Sequence, residues 1–392
     1  EDVENLQFRW TTTQINNASN YRMDDFTVRG VHPLQDGDGS AVVLNDLMSS
    51  NLLGSDIFPA NVTQQPLTVM IQGYPSGTLT KVSVTIPHQW GWTGSGNDVA
   101  PDAEDDASLS NEVVSGSGTM GDPYVITYDA ALTTSGQGQF TIQNLSTLST
   151  TAITDNGNFV FVVKTAKSGG ALTPIQFSPT ARVIIPIANV KDVDADGVPL
   201  DNNTIVAVSG VATVSSGVFA SHLDAYIEDA GAGINVWRTT SLPISEGHQY
   251  IVRGVVSHFN GLIQIGPNLS SDVIDEGSVP AVTPFVATID QLLADPEAFE
   301  SRLVEVRGIA RTGGTWPTSS GSANGGVVLN FSDGSQTVNV FIDYDTGIDG
   351  NPEPVWPKDV IGIVNQVDGS SPYLGDATTY RIAPRGMTRA EV

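Results

Sequence analysis

Asp192-Val-Asp194-Ala-Asp196-Gly197 is the segment whose residue types and spacing come nearest to a binding chemistry. Carboxylates at alternate positions let several oxygens converge on one calcium ion, and the glycine permits the sharp turn that brings them round. Val198 would add its backbone carbonyl and Asp201 a further carboxylate. The twelfth position is Asn203 and not a bidentate glutamate, and no helical pattern flanks the loop, so the segment departs from an EF-hand. The expected metal set is Asp192, Asp194, Asp196, Val198 and Asp201, with calcium as the cofactor and stiffening of a joint as its role. Asp343-Tyr-Asp345-Thr-Gly-Ile-Asp349-Gly-Asn351 is a looser version, and Asp36-Gly-Asp38-Gly looser still.

No comparable constellation points to catalysis. Gly116-Ser-Gly118-Thr-Met-Gly121 matches a dinucleotide fingerprint by letter, but Asp122-Pro123 and a strand pattern come after it where a helix is required. There is no Gly-Lys-Ser/Thr phosphate loop, no Gly-x-Ser-x-Gly elbow and no His-Glu-x-x-His. The histidines 32, 88, 222, 248 and 258 never stand at ligand spacing, although His222 and His258 fall in one predicted module and could meet. No catalytic residue is assigned, and the expectation is a protein that is not an enzyme. The absence of cysteine removes disulfides, zinc thiolates and thiol catalysis together. Aromatic side chains could instead stack on an oligomer. The candidate ligand face comprises Phe219, Tyr226, Trp237 and Phe259 in one module, and Trp316, Phe341 and Tyr344 in the next.

The formal net charge of −26, with 43 acids against 17 bases, is spread over every segment. A field of that sign repels phosphate backbones, so nucleic acid is a disfavoured partner and a polysaccharide or protein a better one. No apolar run of about 18 residues exists, so no membrane span is expected.

The elements that must hold these residues are strands. Valine and threonine abound, glycines and prolines are scattered, and leucine-rich helical stretches are nearly absent. Leu6, Phe8 and Trp10 alternate with Gln7, Arg9 and Thr11, a half-buried strand separable from the body of the chain. Such a strand either opens the first module or completes a neighbour's sheet by edge addition. Residues 21–188 read as a β-sandwich, with strands at 67–72, 81–86, 124–128, 138–144, 159–164 and 181–187, and a short helix around Val43–Met48. Residues 189–203 form an acidic junction. After it the chain repeats itself once: 204–216 answers 302–312, 223–238 answers 327–344, and 250–265 answers 360–382. A linker spans 276–287. Thr288 and Gln291 stand at capping-box spacing, predicting a short helix at 289–294 and a turn at 296–300.

These segments carry two resemblances. Val82 through Trp92, with the Phe159–Lys164 strand and Leu172–Val183, resembles immunoglobulin-like repeats of bacterial surface proteins, which implies a spacer or adhesive module. The duplicated half resembles tandem OB-type modules of secreted bacterial proteins, some attached to extracellular nucleases and phosphoesterases. Its matching pieces are Ala225–Asp229, Val252–Gly261, Ile289–Phe299, Leu303–Gly308 and Tyr380–Arg385.

The sequence therefore reads as all-β: an arm at 1–20, an Ig-like β-sandwich at 21–188, a junction at 189–203, and two OB-type five-stranded β-barrels at 204–275 and 288–392. The expected role is a bacterial extracellular structural or adhesive protein. It would self-associate into a filament or layer by strand addition of Leu6, Phe8 and Trp10. The alternative is a binding module whose barrels capture polysaccharide or nucleic acid beside a secreted hydrolase.

Overall fold

The computed structural model describes residues 39–392 apart from 49, 74–76, 102–107, 134–135, 150–152, 154–155 and 387–390. The arm with Leu6, Phe8 and Trp10, together with His32, Asp36 and Asp38, lies outside the described residues.

Twelve strands precede the junction: β1 (Ser40–Asn45), β2 (Ile57–Phe58), β3 (Gln65–Gln72), β4 (Leu79–Thr85), β5 (Val99–Pro101), β6 (Leu109–Ser115), β7 (Val125–Leu132), β8 (Gln137–Leu145), β9 (Asn158–Val160), β10 (Val162–Lys167), β11 (Thr173–Pro174) and β12 (Thr180–Val183). They form sheets ordered β1-β3-β8-β5 and β11-β10-β4-β7-β6, with a small third sheet β2-β12-β9. Alternate residues point inward, so Val69 and Ile71 of β3 meet Val82 and Val84 of β4 in one core. Tyr128 and Phe140, 5.0 Å apart, join the two larger sheets. Trp90, the first tryptophan of the Trp-x-Trp motif, lies edge-on to Phe58, Phe159 and Phe161.

The helix expected around Val43–Met48 is not formed. Ser40–Asn45 is strand β1, in antiparallel register with β3 from Ser40 opposite Gln72 to Asn45 opposite Leu67. Two adjacent β-branched valines suit a pleated surface, and Val43, 1 % exposed, gains its burial there.

Residues beyond the junction build the two barrels. The first contains β13 (Ile205–Val214), β14 (Leu223–Glu228), β15 (Gly233–Arg238), β16 (His248–Phe259) and β17 (Leu262–Gly266) in a ring closed by β13 on β16, with β18 (Val273–Ser278) added beside β16. The second repeats the plan with β20 (Leu303–Gly313), β21 (Gly326–Ser332), β22 (Thr337–Asp343), β23 (Lys358–Gln366) and β24 (Tyr380–Ala383), closed by β20 on β23. Strand β19 (Phe285–Ala287) runs parallel beside β20. Both rings place their last strand between the third and the fourth, an order compatible with OB-type modules. Strands occupy both ends of the segment expected as a linker, leaving only 279–284 between them. Helix α2 (Ile289–Ala294) starts on the predicted box, with the Thr288 hydroxyl accepting from the Gln291 amide and the Gln291 side chain accepting from the Thr288 amide. No helix among the described residues is long and apolar enough to cross a membrane.

The joints between modules are packed. Ile185, Ile187 and Val190, the last two in helix α1 (Ile187–Val190), run the sandwich core without a break into that of the first barrel. A separate cluster of Val214, Phe219, Tyr226, Leu303, Ile363 and Ala383 glues barrel to barrel. Lys191 Nζ donates to Glu300 Oε1 at 2.5 Å, with side chains 10 % and 0 % exposed. Arg302 pairs with Glu228 at 3.1 Å, and Arg385 binds Glu246 of the first barrel and Glu391 of the second. Gly233 is required by close approach, since a Cβ there would lie 2.1 Å from the Ser301 carbonyl oxygen.

Candidate assembly groove

Strand β1 is the edge of its sheet: it pairs with β3 on one flank and with no strand on the other among the described residues. Asn45 shows which groups face that flank. Its N–H donates to Ser55 O at 2.7 Å and its carbonyl accepts from the Gly54 amide at 2.8 Å, both away from β3. Backbone direction alternates along a strand, so Val43 and Ala41 aim their N–H and C=O the same way. Gly54 and Ser55 fold back over Asn45. Asn45 fixes this end through its side chain, donating to Ile57 O and accepting from Gln65 Nε2 and the Leu47 amide.

Beside this edge lies a groove of about 590 Å³, its other wall made by the segment that leads into β12. Its two ends differ. At the Asn45 end stand Asp56, Arg182, Arg253 and Asp272. Asp56 pairs with Arg182 and, at 3.1 Å, with Arg253, which also reaches Asp272 at 3.6 Å. Burial pulls the Arg182 pKa down, and Asp56 opposes that shift. Arg182 Nε is buried without a hydrogen-bond partner among the described residues, a deficit that costs about 1–3 kcal/mol. At the other end Phe177, 78 % exposed, and Pro179 offer apolar surface.

The acidic junction folds as a small turn that satisfies itself. Asp194 Oδ1 accepts from the amides of Asp196 and Val198, and the Val198 carbonyl accepts from the Asp194 amide. Asp201 accepts from Asn156 Nδ2 at 3.2 Å. No group of three or more His, Cys, Asp or Glu side chains placed to hold a metal ion forms among the described residues. In the looser loop, Asp343 binds the Asp345 amide and Asp349 the Gly321 amide.

The aromatic candidates are dispersed. Phe219, Tyr226 and Trp316 are buried, the first two within 6.1 Å of each other in the inter-barrel cluster. Phe341 lies under the Arg381 guanidinium at 3.6 Å, and Tyr344 caps the glycines at 321 and 325. Trp237 and Phe259 remain on the surface, 36 % and 67 % exposed. His222 packs on Trp237 and His258 on Tyr373. Along the seam between the barrels, burial raises the Asp343 carboxyl to about 6; the Asp345 amide and Arg381 oppose the shift, and the charges of Asp345 and Asp224 add to it.

Sequence reasoning missed Asp56, Arg182, Arg253 and Phe177. Asp56 meets its partners across 126 and 197 residues, a separation over which no local spacing carries a signal. No family model matches this chain, and no curated protein is similar to it.

Proposed function

We propose that this chain is a non-enzymatic, extracellular structural protein that joins copies of itself by strand addition. In this reading the immunoglobulin-like sandwich supplies the acceptor edge, and the OB-type barrels form a stiff body behind it. The observation that carries the proposal is the flank of β1 that no strand covers among the described residues, where Ala41 and Val43 offer main-chain donors and acceptors beside a groove. Main-chain bonds give such additions their affinity, and alternate side chains give them selectivity. An edge left bare is an aggregation hazard that folded proteins ordinarily blunt with charge, proline or a bulge. Here Ser40–Asn45 contains neither charge nor proline. The donor is the alternating segment with Leu6, Phe8 and Trp10. Residues 11–39 separate it from β1, up to ~95 Å when extended, so it can reach a neighbouring molecule.

The test compares the full chain with one lacking residues 1–20, by light scattering and negative-stain imaging at equal concentration. The full chain is expected to form oligomers or filaments, and the truncated chain to run as a monomer. Equal masses for the two would overturn the proposal.

A further inference from the structure

We infer that the donor strand enters the β1 groove antiparallel to β1, with Leu6 opposite Val43 of the second copy, Phe8 opposite Ala41, and Trp10 at the Phe177 end. This rests on the strand-addition reading and adds the direction and register of the partner. The direction is set by the two unlike ends of the groove and the two unlike ends of the donor.

As an added strand, the donor would set positions 2, 4, 6, 8 and 10 on one face, and they read Asp, Glu, Leu, Phe, Trp. The inward face is therefore acidic at its start and increasingly bulky and apolar toward its end. On the acceptor, the Asn45 end holds two of the chain's 17 cations, Arg182 and Arg253. Asp56 and Asp272 balance their formal charge, while the two arginine side chains stay 15 % and 32 % exposed and keep donors toward the groove. The opposite end, where the chain approaches β12, is Phe177 and Pro179.

Antiparallel entry matches these gradients. The Gly54–Ser55 backbone already occupies the flank of Asn45, so main-chain pairing stops at Val43. With Leu6 opposite Val43, the strand leaves the ladder there and carries Glu4 over the partly exposed guanidinium groups of the arginine end. Phe8 and Trp10 then cover Phe177 and Pro179. Parallel entry would set Asp2 and Glu4 against the apolar end and Trp10 against the guanidinium groups, leaving both carboxylates without donors.

The chain has no cysteine, so paired substitutions report direction without background. Opposed residues of a non-hydrogen-bonded antiparallel pair have Cα atoms about 4.5 Å apart, within disulfide range. Ser40, exposed on the outer face of β1, then opposes Arg9 in the antiparallel arrangement and Asn5 in the parallel one. Two full-length double variants are compared under mild oxidation on non-reducing gels: Ser40→Cys with Arg9→Cys, and Ser40→Cys with Asn5→Cys. The expected result is covalent dimers and ladders from the first, at least tenfold above the second. The reverse ratio overturns the direction and sustains strand addition. Assembly without crosslinking in either variant overturns this acceptor edge and register. A disulfide closed within one chain, in a protein that stays monomeric, overturns self-association itself. As a chemical control, Glu4→Gln and Arg182→Gln are each expected to shorten the ladders, and unchanged ladders in both would overturn the polar match.

Discussion

The barrels and the sandwich treat their sheet edges in opposite ways. In the barrels, β13 closes on β16 and β20 on β23, and Lys191 pairs with Glu300 in the joint between modules. In the sandwich, β1 has a neighbour on one flank only among the described residues. Closing a ring removes the edge outright, whereas an open strand keeps its hydrogen-bonding capacity for something else. The difference separates two closed sheets from one with an open flank among the described residues, and the proposed assembly uses that flank.

Breaking the closed side should show the largest effects. Glu300→Ala leaves the Lys191 ammonium without a counter-charge in a dry joint, with only the carbonyl of residue 300 as acceptor, and a loss of about 3–5 kcal/mol is expected in urea unfolding. Adding Lys191→Met to that variant should recover much of the loss. A single variant within error of the parent would mean the joint contributes little. Gly233→Ala forces a methyl against the Ser301 carbonyl, with a smaller loss of about 1–3 kcal/mol by the same measurement. Asp343→Asn tests the seam through pH. The folded pKa is about 6, above the ordinary 3.8, so the native state favours the protonated form. Its contribution is present at low pH and is lost as pH rises through about 6. The melting temperatures of parent and variant should coincide near pH ~3 and diverge toward neutrality, with the variant higher. A gap that does not change with pH removes Asp343 from the seam's electrostatics. On the open side, Ala41→Pro deletes one outward N–H at an edge position where proline is tolerated. Stability should move by less than about 1 kcal/mol while oligomers disappear from light scattering. Oligomers that survive would show that the β1 flank is not the acceptor.

The repeated half was legible because its signals are local. Long valine-rich alternations mark β13 and β20, the Asn260-Gly261 turn marks the β16–β17 hairpin, and Thr288 with Gln291 marks a helix start within four residues. Val43–Met48 misled because a short apolar run carries no period of its own, and its state is set by the neighbouring β3. The joint and the groove were illegible for a different reason. Lys191 meets Glu300 across 109 residues, and Asp56 meets Arg253 across 197, so only the folded topology brings either pair together. The acidic junction has the alternating carboxylates read for calcium, and its turn directs Asp194 Oδ1 to the amides of Asp196 and Val198.

The unbroken core from the sandwich through Ile185, Ile187 and Val190 into the first barrel has a thermodynamic consequence. Those two modules share one set of side chains, so neither can melt while the other keeps its packing. Calorimetry should register them as a single cooperative event, and the second barrel, with a core of its own, is the part placed to unfold as a distinct step.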